Sequence, residues 1–136
     1  LRLFDKYHKY MHEKKGWDFQ TVSAEHYHNS FVAGHENYGK EVLYYYQDKL
    51  IAVDLIDILE DGISSIYFYY DPSYSYLSLG KLSLLKQIRL AQEIQKSWIY
   101  LGYYVEECSS LNYKADYKPF VTLKGRPNLE DNYIWI

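Results

Sequence analysis

The apolar positions between residues 64 and 105 follow two different periods, and this stretch predicts the centre of the fold. Residues 66–70 form a continuous β-favouring run that is too apolar for a strand with one exposed face, and Asp71-Pro72 ends it. From Ser78 to Lys96, apolar residues recur every three or four positions, which predicts an amphipathic helix. A second aromatic run, Trp98–Val105, predicts a strand parallel to the first, joined to it by a right-handed crossover.

The spacing along the predicted helix assigns it a core face and a solvent face. The predicted core positions are Leu79, Leu82, Leu85, Ile88, Ala91 and Ile94. The predicted solvent positions are Lys86, Arg89, Glu93 and Lys96.

Two helices precede this unit. An apolar stripe with lysines between its members predicts the first over residues 1–15, and Gly16 ends it as a C-cap glycine. A shorter helix is predicted to begin at Ser23 as its N-cap. His8 and His12 lie one turn apart, a spacing found in metal sites. Because no third ligand follows at a recognisable distance, we interpret them as surface histidines.

β-favouring runs lie between the second helix and the central unit. Residues 41–47 and 50–59 are predicted to pair as a hairpin with its turn at Asp48-Lys49, and the run at 64–70 extends this into an antiparallel meander. The last predicted elements are a short helix and two closing strands, over residues 106–115, 119–123 and 133–136. The order αα-βββ-α-β predicts an α+β fold with a mixed central sheet flanked by helices.

Composition and charge restrict the function only slightly. The chain has 136 residues, of which 48% are apolar, and this suits one domain spanning residues 1–136. The net charge of −3 does not indicate a nucleic-acid protein by bulk charge. One cysteine, Cys108, excludes an internal disulfide and is interpreted as a half-buried thiol. No signal peptide or membrane-spanning run is recognisable, so we expect a cytoplasmic protein without a membrane partner.

The predicted element order is that of the GNAT acyltransferase fold, in which a helix N-terminus faces the acyl donor. Members that use coenzyme A usually carry Arg or Gln, two residues, Gly, one residue, and then Gly or Ala. Here those positions are Leu77, Gly80 and Leu82. Bulky side chains at the first and last positions would crowd a pyrophosphate, so a coenzyme A-dependent N-acetyltransferase is the less favoured alternative.

Several short segments carry a resemblance to a known family. In order along the chain, these are Tyr7–His12, Asp54–Leu59, Ser64–Tyr67, Tyr70–Ser75, Leu77–Gly80, Tyr100–Tyr104 and Tyr113–Pro119. Together they resemble the C-terminal domain of arginyl-tRNA-protein transferases and of their bacterial relatives, the aspartate/glutamate leucyltransferases. The resemblance implies an aminoacyltransferase that moves Arg or Leu from aminoacyl-tRNA to the N-terminal amine of acceptor proteins beginning with Asp or Glu. This reaction marks the acceptor for degradation through the N-degron pathway, and the donor amino acid stays open.

The resemblance also implies a second domain. The family has an N-terminal domain whose cysteines bind an iron–sulfur cluster, and this domain is absent from the present residues. The chain begins at Leu1 in a helical pattern, so we expect a piece of a longer protein that is inactive by itself. We expect no cofactor and no metal in this part. The family's Lys-Met pair before Tyr113 is also missing. A non-catalytic module that binds acidic N-termini or tRNA ends is a further alternative.

Candidate site residues follow from the resemblance and from the chemistry of amide formation. Asp71 and Tyr70 are the catalytic candidates: Asp71 either accepts the proton of the incoming ammonium or merely begins the turn with Pro72. Lys114 either reads the acceptor's acidic side chain or a tRNA phosphate, or is a surface lysine. The substrate-binding candidates are Tyr67, Ser78, Leu79, Gly80, Gly102, Tyr103, Tyr104, Tyr113 and Lys114.

Two kinds of group are expected among these candidates. Backbone amides near Gly80 are placed to stabilise an oxyanion or to hold the terminal ribose of tRNA. Tyrosine side chains offer hydroxyl donors and faces on which the terminal adenine can stack. With 18 tyrosines in the chain, core packing is expected for most of them.

Overall fold

The computed structural model describes all residues from Leu1 to Ile136. The chain divides into two units, residues 1–100 and residues 101–136. The first unit holds three α-helices, a 3₁₀ segment and a four-stranded sheet. None of the helices has the length and apolar character that crossing a membrane requires.

Two helices begin the first unit, and both were predicted. Helix α1 spans Arg2–Lys15 and ends at Gly16, whose φ of 70° lies in the left-handed region that favours glycine. Helix α2 spans Ala24–Phe31. The Ser23 hydroxyl accepts the backbone amide hydrogen of His26 at 3.1 Å, which confirms the predicted N-cap.

A mixed sheet forms the centre of this unit, in the spatial order β1-β2-β3-β4. The first three strands pair antiparallel and β4 pairs parallel to β3, as predicted. Gln47 and Asp48 have φ values of 47° and 62°, so they form the two-residue hairpin turn one position earlier than predicted. The strands are β1 Gly39–Tyr46, β2 Lys49–Ile58, β3 Gly62–Tyr70 and β4 Trp98–Tyr100.

Strand β4 is much shorter than the predicted run of residues 98–105. Its three residues pair with β3 from Gly62 to Ser64, and β3 then continues to Tyr70 without a strand on that side. Gly102 has a φ of 74°, which interrupts an extended backbone, and the Tyr103 side chain is 83% exposed. The aromatic run predicted a strand that its second half does not form, because those side chains find no core to enter.

Helix α3 spans Leu79–Glu93, and its buried face differs from the predicted one. The buried residues are Leu79, Ser83, Leu84, Gln87 and Ala91. Leu85, a predicted core residue, is 57% exposed. The difference arises because Ser83 and Gln87 turn inward to hydrogen bond with Asp54 of β2, and a pattern of apolar residues alone cannot register such a contact.

Residues of β2 pack on both faces of the sheet, against different helices. Val53 and Leu55 pack in a cluster with Phe4 of α1, and side chains of α2 join this cluster. Ile56 packs on the opposite face with Ala91 of α3. Helices α1 and α2 therefore cover one face of the sheet and α3 covers the other. Each large apolar side chain that this arrangement fully buries contributes about 1.5–3 kcal/mol.

The second unit contains little regular structure. The predicted helix over residues 106–115 is wrong, since only a 3₁₀ segment, Asn112–Asp116, forms there. The two predicted closing strands reduce to one antiparallel bridge between Leu123 and Trp135. No residue of this unit is buried, so it forms no core against which longer elements can pack.

Candidate active site

The residue that follows β3, Asp71, is the centre of an ion-pair cluster. Its side chain is only 3% exposed. Lys6 of α1 donates to Oδ1 at 2.6 Å, and Lys49 at the start of β2 donates to Oδ2 at 3.0 Å. The backbone amide of Ser73 also donates to Oδ1, at 3.0 Å. The carboxylate thus joins α1, the β1–β2 hairpin and the turn after β3.

These contacts determine the protonation of Asp71. Burial by itself raises the pKa of the carboxyl group, but the hydrogen bonds from Lys6, Lys49 and Ser73 outweigh it and hold the pKa well below its usual range. A carboxylate held so firmly in its ionised form is a poor acceptor of a substrate proton. The sequence left two roles open, and the geometry favours Asp71 as a structural anchor.

The N-terminus of α3 is reached through a 3₁₀ segment, Pro72–Leu77, and a left-handed residue, Ser78, with φ 52°. Leu79 is buried and fixes the helix to the sheet, whereas Gly80 is exposed. A Cβ atom built on Gly80 would have no neighbour within 4 Å. Since the first full-turn hydrogen bond runs from the Leu82 amide to the Ser78 oxygen, the amides of Leu79 and Gly80 precede the helical ladder.

Tyr67 and Tyr70 of β3 have different surroundings. The Tyr67 hydroxyl oxygen lies 2.7 Å from Nε2 of His8 in α1. The Tyr70 ring contacts the rings of Tyr7 and Phe68, with centroids 5.1 and 5.9 Å away. Burial raises the pKa of both Tyr67 and Tyr70, so both hydroxyl groups keep their hydrogen at neutral pH.

The remaining candidates lie in the second unit. The Lys114 ammonium donates to the backbone oxygen of Tyr103 at 2.6 Å, and burial lowers the pKa of Lys114. Gly102 occupies the left-handed region with a φ of 74°. The other two candidates of this unit are exposed, namely Tyr104 and Tyr113.

The structure brings part of the predicted set together. Leu79 and Tyr70 pack in one apolar cluster, so the end of β3 and the start of α3 are neighbours, and Asp71 and Gly80 belong to the same segment of chain. Tyr67 faces the other side of the sheet, among the residues of α1 and α2. The candidates after residue 100 belong to the separate second unit.

Sequence reasoning missed three side chains that contact these candidates. Lys6 and Lys49 resemble ordinary surface lysines in the sequence, and nothing there indicates their contact with Asp71. His8 was interpreted as a surface residue. Its position four residues after the buried Phe4 was the available signal, because that spacing places both on one face of α1.

A buried polar cluster between β2 and α3 was also missed. Asp54 is fully buried, and its Oδ2 accepts hydrogen bonds from the Ser83 hydroxyl at 2.5 Å and the Gln87 amide at 2.9 Å. Burial raises the pKa of Asp54 even though both hydrogen bonds oppose the shift. Burial, with a contribution from the Asp54 charge, likewise raises the pKa of Tyr44 to about 12.

Two cavities lie away from the predicted site. A cavity of about 580 Å³ lies between β1 and α3, and one of about 320 Å³ lies beside β1 and the loop after α2. No candidate residue lines either of them. No three His, Cys, Asp or Glu side chains converge in a way that would hold a metal ion.

A comparison with models of known protein families identifies a family that this chain matches. The profile of a family described as "Arginine-tRNA-protein transferase, C terminus" matches residues 1–124.

Curated relatives agree with this match. An aspartate/glutamate leucyltransferase of Campylobacter jejuni is 54% identical over 134 residues, which is 98% of this chain and 56% of the relative. One from Helicobacter hepaticus is 38% identical over 135 residues, covering 99% and 56%. Arginyl-tRNA–protein transferase 1 of Saccharomyces cerevisiae is 54% identical over 74 residues, covering 54% and 15%. The chain thus spans about half the length of the bacterial relatives that it matches along its whole length.

Proposed function

Because the chain belongs to the family of the arginine-tRNA-protein transferase C terminus, we propose that it is the acyl-transfer part of an aminoacyl-tRNA-protein transferase. It would move an amino acid from aminoacyl-tRNA to the N-terminal amine of proteins that begin with Asp or Glu. The observation that carries this proposal is the 54% identity to a leucyltransferase along 98% of the chain. That coverage favours leucine as the donor amino acid, since the similarity to the yeast arginyltransferase covers 54% of the chain.

Amide formation by this route needs three things from the protein. The ester carbonyl of the donor must meet hydrogen-bond donors that stabilise the developing oxyanion, the neutral amine must be held for attack, and the terminal ribose must be fixed. We assign the hydrogen-bond donors to the amides of Leu79 and Gly80, because both precede the helical ladder, and the space around Gly80 is open. Tyr70, which packs in one apolar cluster with Leu79 and whose hydroxyl stays protonated, is the proposed side-chain donor to the donor substrate.

Asp71 supports this site indirectly. Through Lys6 and Lys49 it holds the chain segment that leads from β3 to Ser78. The position of Gly80 in front of the ester therefore depends on an ion-pair cluster that does not itself touch the substrate.

A GNAT-like arrangement is the finer fold assignment that we favour. It is supported by the element order, by the parallel pairing of β3 with β4, and by the early end of that pairing at Ser64. Coenzyme A remains the less favoured donor, because Leu77 and Leu82 stand where members that use coenzyme A usually carry Arg or Gln and Gly or Ala.

The rest of the assignment follows from the family. We propose that residues 1–136 act as one transferase domain together with an N-terminal domain that binds an iron–sulfur cluster, and that this part needs no cofactor of its own. The second unit, with Lys114, would contact the acceptor's acidic residue or the tRNA backbone. Because the reaction would use aminoacyl-tRNA, we propose that it takes place in the cytoplasm.

The proposal is tested with the complete gene product that carries this chain. Labelled leucine and labelled arginine are offered on their tRNAs, with peptides that begin with Asp, Glu or Ala as acceptors. We expect transfer to the Asp and Glu peptides and none to the Ala peptide. Micromolar binding of acetyl-coenzyme A in calorimetry, together with absent transfer, would favour the acetyltransferase alternative instead.

A further inference from the structure

Strand β3 has an open backbone edge beyond the point where β4 ends. The two strands pair only over residues 62–64 of β3, and β3 continues to Tyr70. Strand β2, which has a neighbouring strand on each side, is buried throughout residues 51–57, whereas most of residues 65–70 in β3 are not buried. Ile66 in this part of β3 is 39% exposed. The edge of β3 that faces away from β2 is therefore open to a binding partner.

One hydrogen bond shows which backbone groups point along this edge. The Asp71 amide donates to the Ile51 oxygen at 2.7 Å, so the backbone of Asp71 is directed at β2. Residues of an antiparallel strand alternate between facing the paired strand and facing away from it. In the register of β2 and β3, Tyr69 therefore faces β2, whereas Phe68 and Tyr70 face the open edge. No hydrogen bond within the protein joins the backbone of either residue to a group on that side.

This edge leads to the proposed position of the ester. Tyr70 ends β3 and packs in the same apolar cluster as Leu79, whose amide is a proposed oxyanion donor. The edge and the start of α3 also belong to one segment of chain within the first unit. A ligand that lies along residues 65–70 would thus have one end next to the reacting carbonyl.

The chemistry of the edge restricts what its ligand is. An unpaired strand edge offers donors and acceptors that repeat every second residue, and another extended backbone matches this repeat. The aminoacyl group of the donor substrate has a single amine and a single carbonyl, so it cannot form a ladder. Of the two substrates in the proposed reaction, the acceptor is the polypeptide.

We propose that the first residues of the acceptor protein add to the open edge of β3 as an extra strand, with their α-amine at the Tyr70 end. This inference rests on the proposed function and names how its acceptor is held. At about 3.3 Å per residue, residues 65–70 span about 20 Å, which is room for about five residues of the acceptor. Backbone pairing does not depend on side chains, and this suits acceptors that share only their first residue. No covalent bond forms or breaks in this docking step.

The ladder is tested with acceptor peptides that begin with Asp and carry one N-methyl group, placed in turn on the amide of the second to the fifth residue. N-methylation removes a hydrogen-bond donor and adds bulk toward the paired strand. With the complete gene product, we expect kcat/KM for the peptide to fall about tenfold or more at every second position, the scale of one hydrogen bond. At the positions between, whose amides point away from β3, we expect it to stay within about threefold of the unmodified peptide. These positions are the matched controls.

Hydrogen exchange gives a readout that does not depend on transfer. The unmodified peptide is added to the complete gene product without aminoacyl-tRNA, and exchange of single amides is followed by NMR. We expect exchange at Phe68 and Tyr70 to slow about tenfold or more at saturating peptide. The amides of Tyr67 and Tyr69 face β2 and should not change, so they serve as controls within the same strand. Neither experiment needs a protein variant that has to fold.

The outcomes separate this inference from the function on which it rests. Equal losses at all N-methylated positions, no loss at any of them, or unchanged exchange at Phe68 and Tyr70 would each overturn strand addition. Transfer to the unmodified peptide would leave the transferase function intact in those cases. Absence of transfer by folded wild-type protein would overturn both.

Discussion

The carboxylates of Asp71 and Asp54 are both buried, yet their partners give them opposite properties. Asp71 accepts from two ammonium groups and one backbone amide, and its pKa is lowered. Asp54 meets only a hydroxyl and a neutral amide, and burial raises its pKa. A buried carboxylate is held in its charged form when cations compensate the loss of water, and is driven toward its neutral form when they do not.

Replacing Asp71 by Asn should destabilise the protein. The change removes two charge-assisted hydrogen bonds, and we expect the free energy of unfolding to fall by about 1–3 kcal/mol. Because Lys6 and Lys49 are 49% and 54% exposed, solvent screening keeps the effect toward the lower end. Urea unfolding at neutral pH measures it. Glu93→Gln, which breaks an exposed ion pair with Arg89, is the control and should cost less than about 0.5 kcal/mol.

The effect of Asp71→Asn should also depend on pH. Since the pKa is lowered in the folded state, the carboxylate stabilises the protein above the ordinary Asp pKa of about 3.9, and this contribution is lost as the pH falls below that value. The difference between wild type and variant should therefore shrink in acid. A difference that stays constant from neutral pH into acid would contradict the ion-pair interpretation.

Asp54 should show the opposite pH dependence. Its raised pKa favours folding below the ordinary Asp value, and that advantage is lost as the pH rises toward the pKa of the folded state. Asp54→Asn does not titrate, so its stability relative to wild type should increase between about pH 4 and pH 7. Chemical unfolding at the two pH values checks this, and parallel pH profiles for the two proteins would speak against a buried, titrating Asp54.

The sequence located the turn at Asp71 and the helix start near Gly80, but not the side chains that surround them. Asp71 and Gly80 were found because a turn signal and the start of a helix are local features. The lysines that bind Asp71, and His8 beside Tyr67, are contacts across 22 to 65 positions of chain, and no local pattern encodes them.

The parallel pairing of β3 with β4 brings Gly62 close to Trp98. The absence of a side chain at Gly62 permits it, because a Cβ atom there would lie 2.6 Å from the backbone oxygen of Trp98 and 3.0 Å from its Cβ. Since helix α3 connects these two strands, their close approach also fixes where the helix returns to the sheet.

Gly62→Ala and Gly80→Ala add the same methyl group in opposite environments. We expect Gly62→Ala to cost about 1–3 kcal/mol through overpacking against Trp98. Gly80→Ala enters open space in a helix and should be neutral or stabilising by up to about 1 kcal/mol. Melting curves of the two variants measure these stability changes. Equal stability of both would show that β4 does not approach Gly62 as described.

Elements with a clear period were predicted correctly from the sequence, and those without one were not. Helices α1 to α3 and strands β1 to β3 lie close to their predicted ranges, since each has a local pattern of apolar residues or a turn signal that bounds it. Beyond Tyr100 the sequence is still aromatic, but most of its side chains are exposed. The aromatic composition therefore predicted strands and a helix there that do not form, because they have no core to pack against.

The whole molecule joins the family's C-terminal region with a helix that begins beside open space at Gly80. The family match covers residues 1–124, which include all of the first unit and most of the second. The chain spans 56% of its bacterial relatives, which makes the complete gene product the right object for activity measurements.

The most direct test of the central claim is the rate of aminoacyl transfer by wild type, Gly80→Val and Lys86→Ala in the complete gene product, measured beside their melting curves. The wild-type protein should transfer to peptides that begin with Asp or Glu. Gly80→Val places a branched side chain over the amides at the helix start, in space that is open in the fold, so it should melt normally and lose transfer about a hundredfold. Lys86→Ala, on the exposed side of α3, should leave both quantities unchanged. Normal transfer by a folded Gly80→Val protein would contradict the account.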